Sequence, residues 1–293
     1  MTVSSEARSV PDEPGVPTHV LLTNDDGYDK EGLQALRTAL IAAGFRVTVM
    51  APAANRSCIG RGVTCHDPVE VRLHDDDGRG NRIYSCTGTP VDCVRVAVLS
   101  DVIDPVDVVA SGINHGVNMG DDATFSGTIG AALEGALLRI PSIAFSQQDD
   151  AGDISMVSRG GHHFLATDLA VRATTALVEN PPPPRVIASV NFPHGVKEPA
   201  AQKAQLSPFS YQRNWTPAEM LSEDSWNVWA YAKPGHPDPE VSTSAGTDYA
   251  AVIGGAASVS AVRADWDGLS DAPTGVNAWL DAFVARLGAP GRC

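Results

Sequence analysis

The sequence predicts an α/β fold, a mostly parallel sheet covered by helices on both faces and so built in three layers. Three observations lead there. Short apolar runs alternate with helical patterns through the first two-thirds of the chain. The links between them are short, and right-handed crossovers then bring all strand C-termini to one edge. Three of the runs end in polar loops, at the place where open α/β sheets hold ligands.

Strands are expected at 18–23, 45–50, 106–111, 140–146 and 185–190, each a short run fit for a buried parallel strand. Helices are expected at 30–43, 89–99, 126–138 and 161–179. The first ends at Gly44, a natural C-cap. Residues 63–87 break the alternation and read as a β-hairpin insertion around the polar turn Asp75–Gly80. Pro181–Pro184 stop a helix and lead into a strand. Beyond residue 200, Trp215, Trp226, Trp229 and Tyr231 fall in a segment rich in Pro and Gly. Residues 247–262 read as helix or strand, then strand, and 275–287 as an amphipathic helix with Trp279, Leu280, Phe283 and Leu287 on one face. The expected organisation is a disordered leader over 1–17, an α/β core over 18–200 and a C-terminal extension over 201–293.

Composition narrows the function. A formal net charge of −14 argues against a nucleic-acid polymer or an anionic membrane as partner. A small phosphorylated substrate stays open, because a bound cation inverts the local field. No apolar run is long enough to span a bilayer, and the first residues lack an apolar signal core. Five cysteines without a C-x-x-C pair fit free thiols in a reducing cytoplasm, with Cys86 and Cys93 as small core residues.

The chemistry gathers in three loops. The first is Asn24-Asp25-Asp26-Gly27. Adjacent carboxylates repel, and a divalent cation with its taste for hard oxygen relieves them; a plain strand-ending turn is the alternative. The second loop is Ala51–Gly60, with Asn55, Arg56, Ser57 and Cys58. The third runs from Ser111 through Asn114, His115, Asn118 and Asp122 into Ser126-Gly127-Thr128, which opens a helix. Ser126 suits the N-cap, and its hydroxyl, that of Thr128 and the free N–H groups of the first turn form an anion cradle. The same three residues also make an ordinary capped helix start. Two carboxylates with neutral oxygens from Ser57 and Asn114 meet the requirement of metal-assisted phosphate-ester hydrolysis.

These segments carry a resemblance. LLTNDDGYDKEGL at 21–33, VMAPAANRS at 49–57, CTGTPVDCV at 86–94 and the block from Val108 to Ala136 resemble the SurE family of 5′/3′-nucleotidases, with weaker echoes in SVNFP at 189–193 and at 247–260. The resemblance implies a Rossmann-like core and a C-terminal hairpin and tail exchanged between subunits, giving a homodimer or homotetramer. It implies one divalent metal ion, Mg²⁺ or Mn²⁺, on Asp25, Asp26, Ser57 and Asn114, and a phosphate pocket of Asn118, Ser126, Gly127 and Thr128, with Asn24 grouped among the substrate contacts. The implied substrate is a nucleoside monophosphate. Two departures stand out: Cys58 replaces the usual small residue beside the metal serine, and Ser258-Val-Ser260-Ala261 replaces Ser-x-Thr-Pro.

The expected reaction is in-line attack by a metal-activated water. Asp25 or Asp26 orients or deprotonates it, while Asn118 and Ser126 stabilise charge on the phosphoryl oxygens. Arg56 reads equally as a phosphate contact or a loop brace, His115 as a loop spacer or a proton donor, and Glu134 as a tie to a nearby loop. His162 and His163 read as helix-surface residues. Two rivals are a phosphatase of this kind acting on another metabolite and a noncatalytic nucleotide-binding protein. A redox dinucleotide module is disfavoured, since no G-x-G-x-x-G follows the first strand.

Overall fold

The computed structural model describes residues 16–154, 161, 163–207, 218–222, 224–228 and 243–265. Most of the expected leader, Trp215, Trp229, Tyr231, His162 and the helix over 275–287 lie outside the described residues. The chain order is β1 (His19–Thr23), α1 (Glu31–Ala42), β2 (Arg46–Pro52), β3 (Val71–Asp76), β4 (Arg82–Cys86), α2 (Pro90–Leu99), β5 (Val108–His115), a 3₁₀ turn (Gly120–Thr124), α3 (Gly127–Leu137), β6 (Ser142–Gln147), α4 (Thr167–Glu179), β7 (Val186–Phe192), β8 (Ala201–Lys203), β9 (Glu219–Ser222), β10 (Ser225–Asn227), α5 (Asp248–Ile253) and β11 (Ala257–Arg263).

One nine-stranded sheet runs β3-β4-β2-β1-β5-β6-β7-β11-β8, and β9 pairs with β10 apart from it. From β4 to β7 every pairing is parallel, while β3 runs against β4 and β11 against β7, with β8 parallel to β11 at the edge. The order reverses between β1 and β5: β1 leads to β2 on one side, and the chain later returns to β5 on the other. Such a switch point leaves a crevice beyond the strand C-termini.

Among the described residues α1 and α4 cover one face and α2 and α3 the other. Leu33, Leu36 and Leu40 of α1 and Ala170 and Leu177 of α4 pack on Val20, Leu22, Val49, Val108, Phe145 and Phe192. On the other face Cys93, Val94 and Ala97 of α2 and Ala131 of α3 meet Leu21, Met50, Cys86 and Val109, while Ile129, Ala132 and Ala136 meet Ala144 and Ile187. Helix α2 starts with a full capping box, Thr89 and Asp92 bonding each other's backbone N–H groups, and Pro90 follows the cap. Helix α1 has no such device: Lys30 at its N-cap makes no side-chain cap bond. A missing cap costs about 1 kcal/mol, and burial of each leucine contributes roughly 1.5–3 kcal/mol. Packing therefore holds α1, and its first turn stays open at the strand-end edge.

Three expectations are corrected. Residues 63–87 do contain a hairpin, β3 with β4, but it is no insertion: β4 pairs in parallel with β2 and belongs to the sheet. Helix α4 starts at Thr167, not near 161, because Phe164 is drawn away to pack over Gly32 and beside the His115 ring. His163 accordingly precedes the helix, its Nδ1 bonded to Asp150 at 2.7 Å. Strand β5 continues to His115, four residues past the expected end. Cys86 and Cys93 are fully buried, as core residues should be. Beyond residue 200, β8 and β11 extend the same sheet. Among the described residues no helix is long and apolar enough to cross a membrane.

The bend inside β5 depends on Gly112. Its φ is +132°, and a Cβ there would collide with the Phe145 carbonyl oxygen of β6. Gly112→Ala is expected to destabilise the fold by about 2 kcal/mol or more. Urea unfolding should show a lower midpoint with an unchanged slope.

Candidate active site

The three polar loops do meet at the switch point. Strand β1 is buried throughout and delivers Asn24, Asp25 and Asp26, at 0%, 3% and 5% exposure, to the sheet edge. Beside them β5 delivers Asn114 and His115. The second loop is bound to the first by Arg56 N–H donating to the Asp25 carbonyl at 2.7 Å.

Asp25 points at the start of α3. The Thr128 hydroxyl donates to its Oδ1 at 2.5 Å, and both that hydroxyl and the nearby Gly127 N–H favour its charged form. Asn114 Oδ1 lies 3.3 Å from the same Thr128 hydroxyl. A hydroxyl has one hydrogen, so the shorter contact takes it and leaves the amide oxygen beside Asp25. Gly127 is obligatory here: a Cβ would stand 2.8 Å from that of Asp25. Asp26 faces the other way, toward α1. Its Oδ2 accepts the His115 N–H at 3.1 Å, and its Oδ1 receives no hydrogen bond among the described residues.

Burial raises both carboxyls above the usual carboxylate range, and for Asp25 the adjacent Asp26 charge adds to it. Among the described residues neither forms an ion pair. No group of three or more His, Cys, Asp or Glu side chains gathers to hold a metal either, again among the described residues. The local donors are instead two carboxylates and an amide oxygen. That set, all hard oxygen with two negative charges short of a partner, fits a small divalent cation.

Other predicted residues sit nearby with distinct duties. The Ser57 side chain is exposed one residue beyond the Arg56 bond, its backbone N–H bonded to Asn55 Oδ1 at 2.8 Å. Ser126 caps α3, its hydroxyl accepting the Ile129 N–H at 3.1 Å. Asn118 is 1% exposed; its amide donates to Ser146 Oγ at 2.7 Å and its backbone N–H to Asn191 Oδ1 at 2.8 Å. Two more of these residues are engaged within the protein. Asn24 donates to the Gly27 carbonyl and accepts the Gly27 N–H, so it clamps the turn from inside. Thr128 is fully buried and its hydroxyl donates to Asp25, so it holds that carboxylate. Arg56 braces its loop through the Thr87 carbonyl at 2.9 Å.

A family model described as survival protein SurE matches residues 20–216. The chain belongs to the SurE family. A relative from Pelobacter propionicus, named 5′-nucleotidase SurE, is 40% identical over 176 residues, 60% of this chain and 66% of that one. One from Aeromonas hydrophila with the same name is 35% identical over 263 residues, 89% of this chain and 98% of its own. Other relatives, such as one from Desulfitobacterium hafniense, match over half of their own length. The crystal structure of the SurE protein from Aquifex aeolicus superposes with a TM-score of 0.68 at 30% identity, covering 92% of this chain and all of that one.

Sequence reasoning missed several supports of this SurE site. Asp248, at the start of α5, accepts N–H bonds from Gly120 at 2.7 Å and Ser207 at 3.0 Å, tying the third loop to the C-terminal segment. Ser146 and Asn191 hold Asn118 from β6 and β7. Their strands were legible, but partners 28 and 73 residues away leave no local signal. Glu134 is the tie it was read as, at 2% exposure: Arg61, directly after the second loop, reaches it at 2.5 Å and Arg95 of α2 at 2.7 Å. Glu134→Ala would strand both guanidinium groups. Because they are 39% and 45% exposed, water recovers part of the loss, and about 2–3 kcal/mol is expected. Urea unfolding measures it, and Glu134→Gln should cost less.

Proposed function

We propose that this chain is a divalent-metal-dependent phosphomonoesterase that hydrolyses nucleoside monophosphates to nucleoside and phosphate. The observation that carries the reading is the buried Asp25–Asp26 pair, without an ion-pair partner among the described residues, beside Asn114 at the sheet's switch point. The name 5′-nucleotidase SurE, borne by relatives that this chain matches over nearly their whole length, supports the substrate class.

Asp25, Asp26 and Asn114 would hold the cation, with Ser57 joining from the second loop. When bound, Mg²⁺ or Mn²⁺ supplies charge neutralisation and activation of water. The chain's own residues do the rest. Thr128 holds Asp25 in place through its hydroxyl. The Asp26 oxygen without a hydrogen bond can hold and orient a water for in-line attack. The Ser126 hydroxyl accepts from Ile129 and keeps its own proton for a phosphoryl oxygen. The Asn118 amide, pinned by Ser146, has its second N–H for another. Donors fixed in this way stabilise the charge that develops on phosphorus without having to reorient.

The test is phosphate release from a panel of nucleoside monophosphates with Mg²⁺ or Mn²⁺. EDTA and Asp25→Asn should each abolish release; activity that survives both would refute the reading. Thr128→Val, which keeps the shape but drops the hydroxyl, is expected to weaken cation binding about 10–100-fold by calorimetry.

A further inference from the structure

Asn118 lies between the end of β5 and the 3₁₀ turn, bracketed by Gly116 and Gly120 at φ of +115° and +53°. Two glycines give the chain freedom there, so local backbone preference does not set where the Asn118 amide points. Its neighbours Val117 and Met119 pack with Tyr249 and Val252 of α5. Asn118 itself reaches the ends of β6 and β7.

Asn191 of β7 meets it there. The residue is fully buried, and its side-chain amide bonds one residue twice: Oδ1 accepts the Asn118 N–H at 2.8 Å and Nδ2 donates to the Asn118 carbonyl at 3.3 Å. Strand residues exchange such a reciprocal pair of bonds in an antiparallel ladder, and here a side chain makes it. Ser146, in register with Asn191 on β6, takes the Asn118 side-chain amide at 2.7 Å. The backbone and the side chain of Asn118 are thus both fixed by strand ends of the sheet. Burying a carboxamide costs stability unless its bonds are made, and an apolar residue would serve the core better. The cation donors are held by other means: Asn114 sits within β5 in register with Ser146, and Asp25 is held by Thr128.

We propose that Asn191 is a positioning residue of the reaction: by clamping the Asn118 backbone it places the Asn118 side-chain N–H where charge develops on the phosphoryl oxygens. The inference rests on the phosphomonoesterase reading and adds to it a residue that acts only through Asn118. A donor aimed at charge that develops in the transition state acts on kcat more than on KM.

The experiment is a double-mutant cycle on hydrolysis of a nucleoside 5′-monophosphate by the full-length protein with Mg²⁺ or Mn²⁺. Asn191→Ala should lower kcat about 10–100-fold, with KM, and the calorimetric affinity for the cation alone, within about threefold of wild type. In an Asn118→Ala background the same substitution should change kcat by less than about threefold, because the group it positions is gone. Asn191→Ser leaves a smaller void; it should show the same pattern, and it replaces the alanine variant in the cycle if that variant does not fold. Ser258→Ala is the control. Ser258 is fully buried and pairs with Asn191 from β11, and its hydroxyl makes no hydrogen bond among the described residues. Its removal should leave kcat within about twofold of wild type. Losses that multiply in the double variant, a cation affinity that falls along with kcat, a wild-type kcat in Asn118→Ala or in the Asn191 variants, or a Ser258→Ala loss equal to that of Asn191→Ala would each overturn the assignment while leaving the phosphomonoesterase reading intact. Failure of the wild-type chain to release phosphate from any nucleoside monophosphate would overturn that reading, and this inference with it.

Discussion

Two carboxylates forced together out of water are the constraint around which this molecule is arranged. Asp25 and Asp26 are neighbours in sequence, both nearly inaccessible, and burial penalises their charge. A strand end buried on all sides gives them no solvent to lean on. The structure answers with dipoles: the N-terminal end of α3, the Thr128 hydroxyl and the Gly127 N–H for Asp25, the His115 N–H for Asp26. These lower the penalty without cancelling it.

The same economy explains why the surrounding loops are so tightly tied. The second loop is sewn to the first through Arg56 N–H and to α3 and α2 through the Arg61–Glu134–Arg95 triad. The third loop is sewn to β6 and β7 through Asn118 and to α5 through Gly120 and Asp248. Each tie crosses between elements distant in sequence. Side chains that must hold a fixed arrangement tolerate little drift, and rigid supports limit it.

What could be read from the sequence follows from range. Apolar runs at Val20–Leu22, Val49–Ala51 and Ile143–Phe145 mark β1, β2 and β6, because a strand buried on both faces is mostly apolar. Helix starts at Thr89 and Ser126 were legible because a cap and its partner lie three residues apart. Asp25, Asp26 and Asn114 were legible because polar residues at the ends of such runs have few structural excuses. Where the deciding partner is remote, local reading fails. The hairpin over 63–87 was visible, but not that β4 would seek β2. Phe164 looked like part of a helix until Gly32 and His115 claimed it. Asn24 and Thr128 carry polar groups whose partners within the protein the sequence leaves unassigned, and only the fold shows that Gly27 and Asp25 engage them.

The strand order also sets a timetable. Among the described residues, 201–203 have one neighbour in the sheet, β11, whose first residue is 257. Strands from β1 to β7 can assemble as they leave the ribosome, yet the outer edge of β7 stays bare until residues 257–263 follow. Gly120 likewise waits for Asp248 before the loop bearing the two asparagines is anchored at its far end. A nascent chain thus holds its acidic pair early and the anchor of its third loop late, so that loop is fixed only after Asp248 has been made.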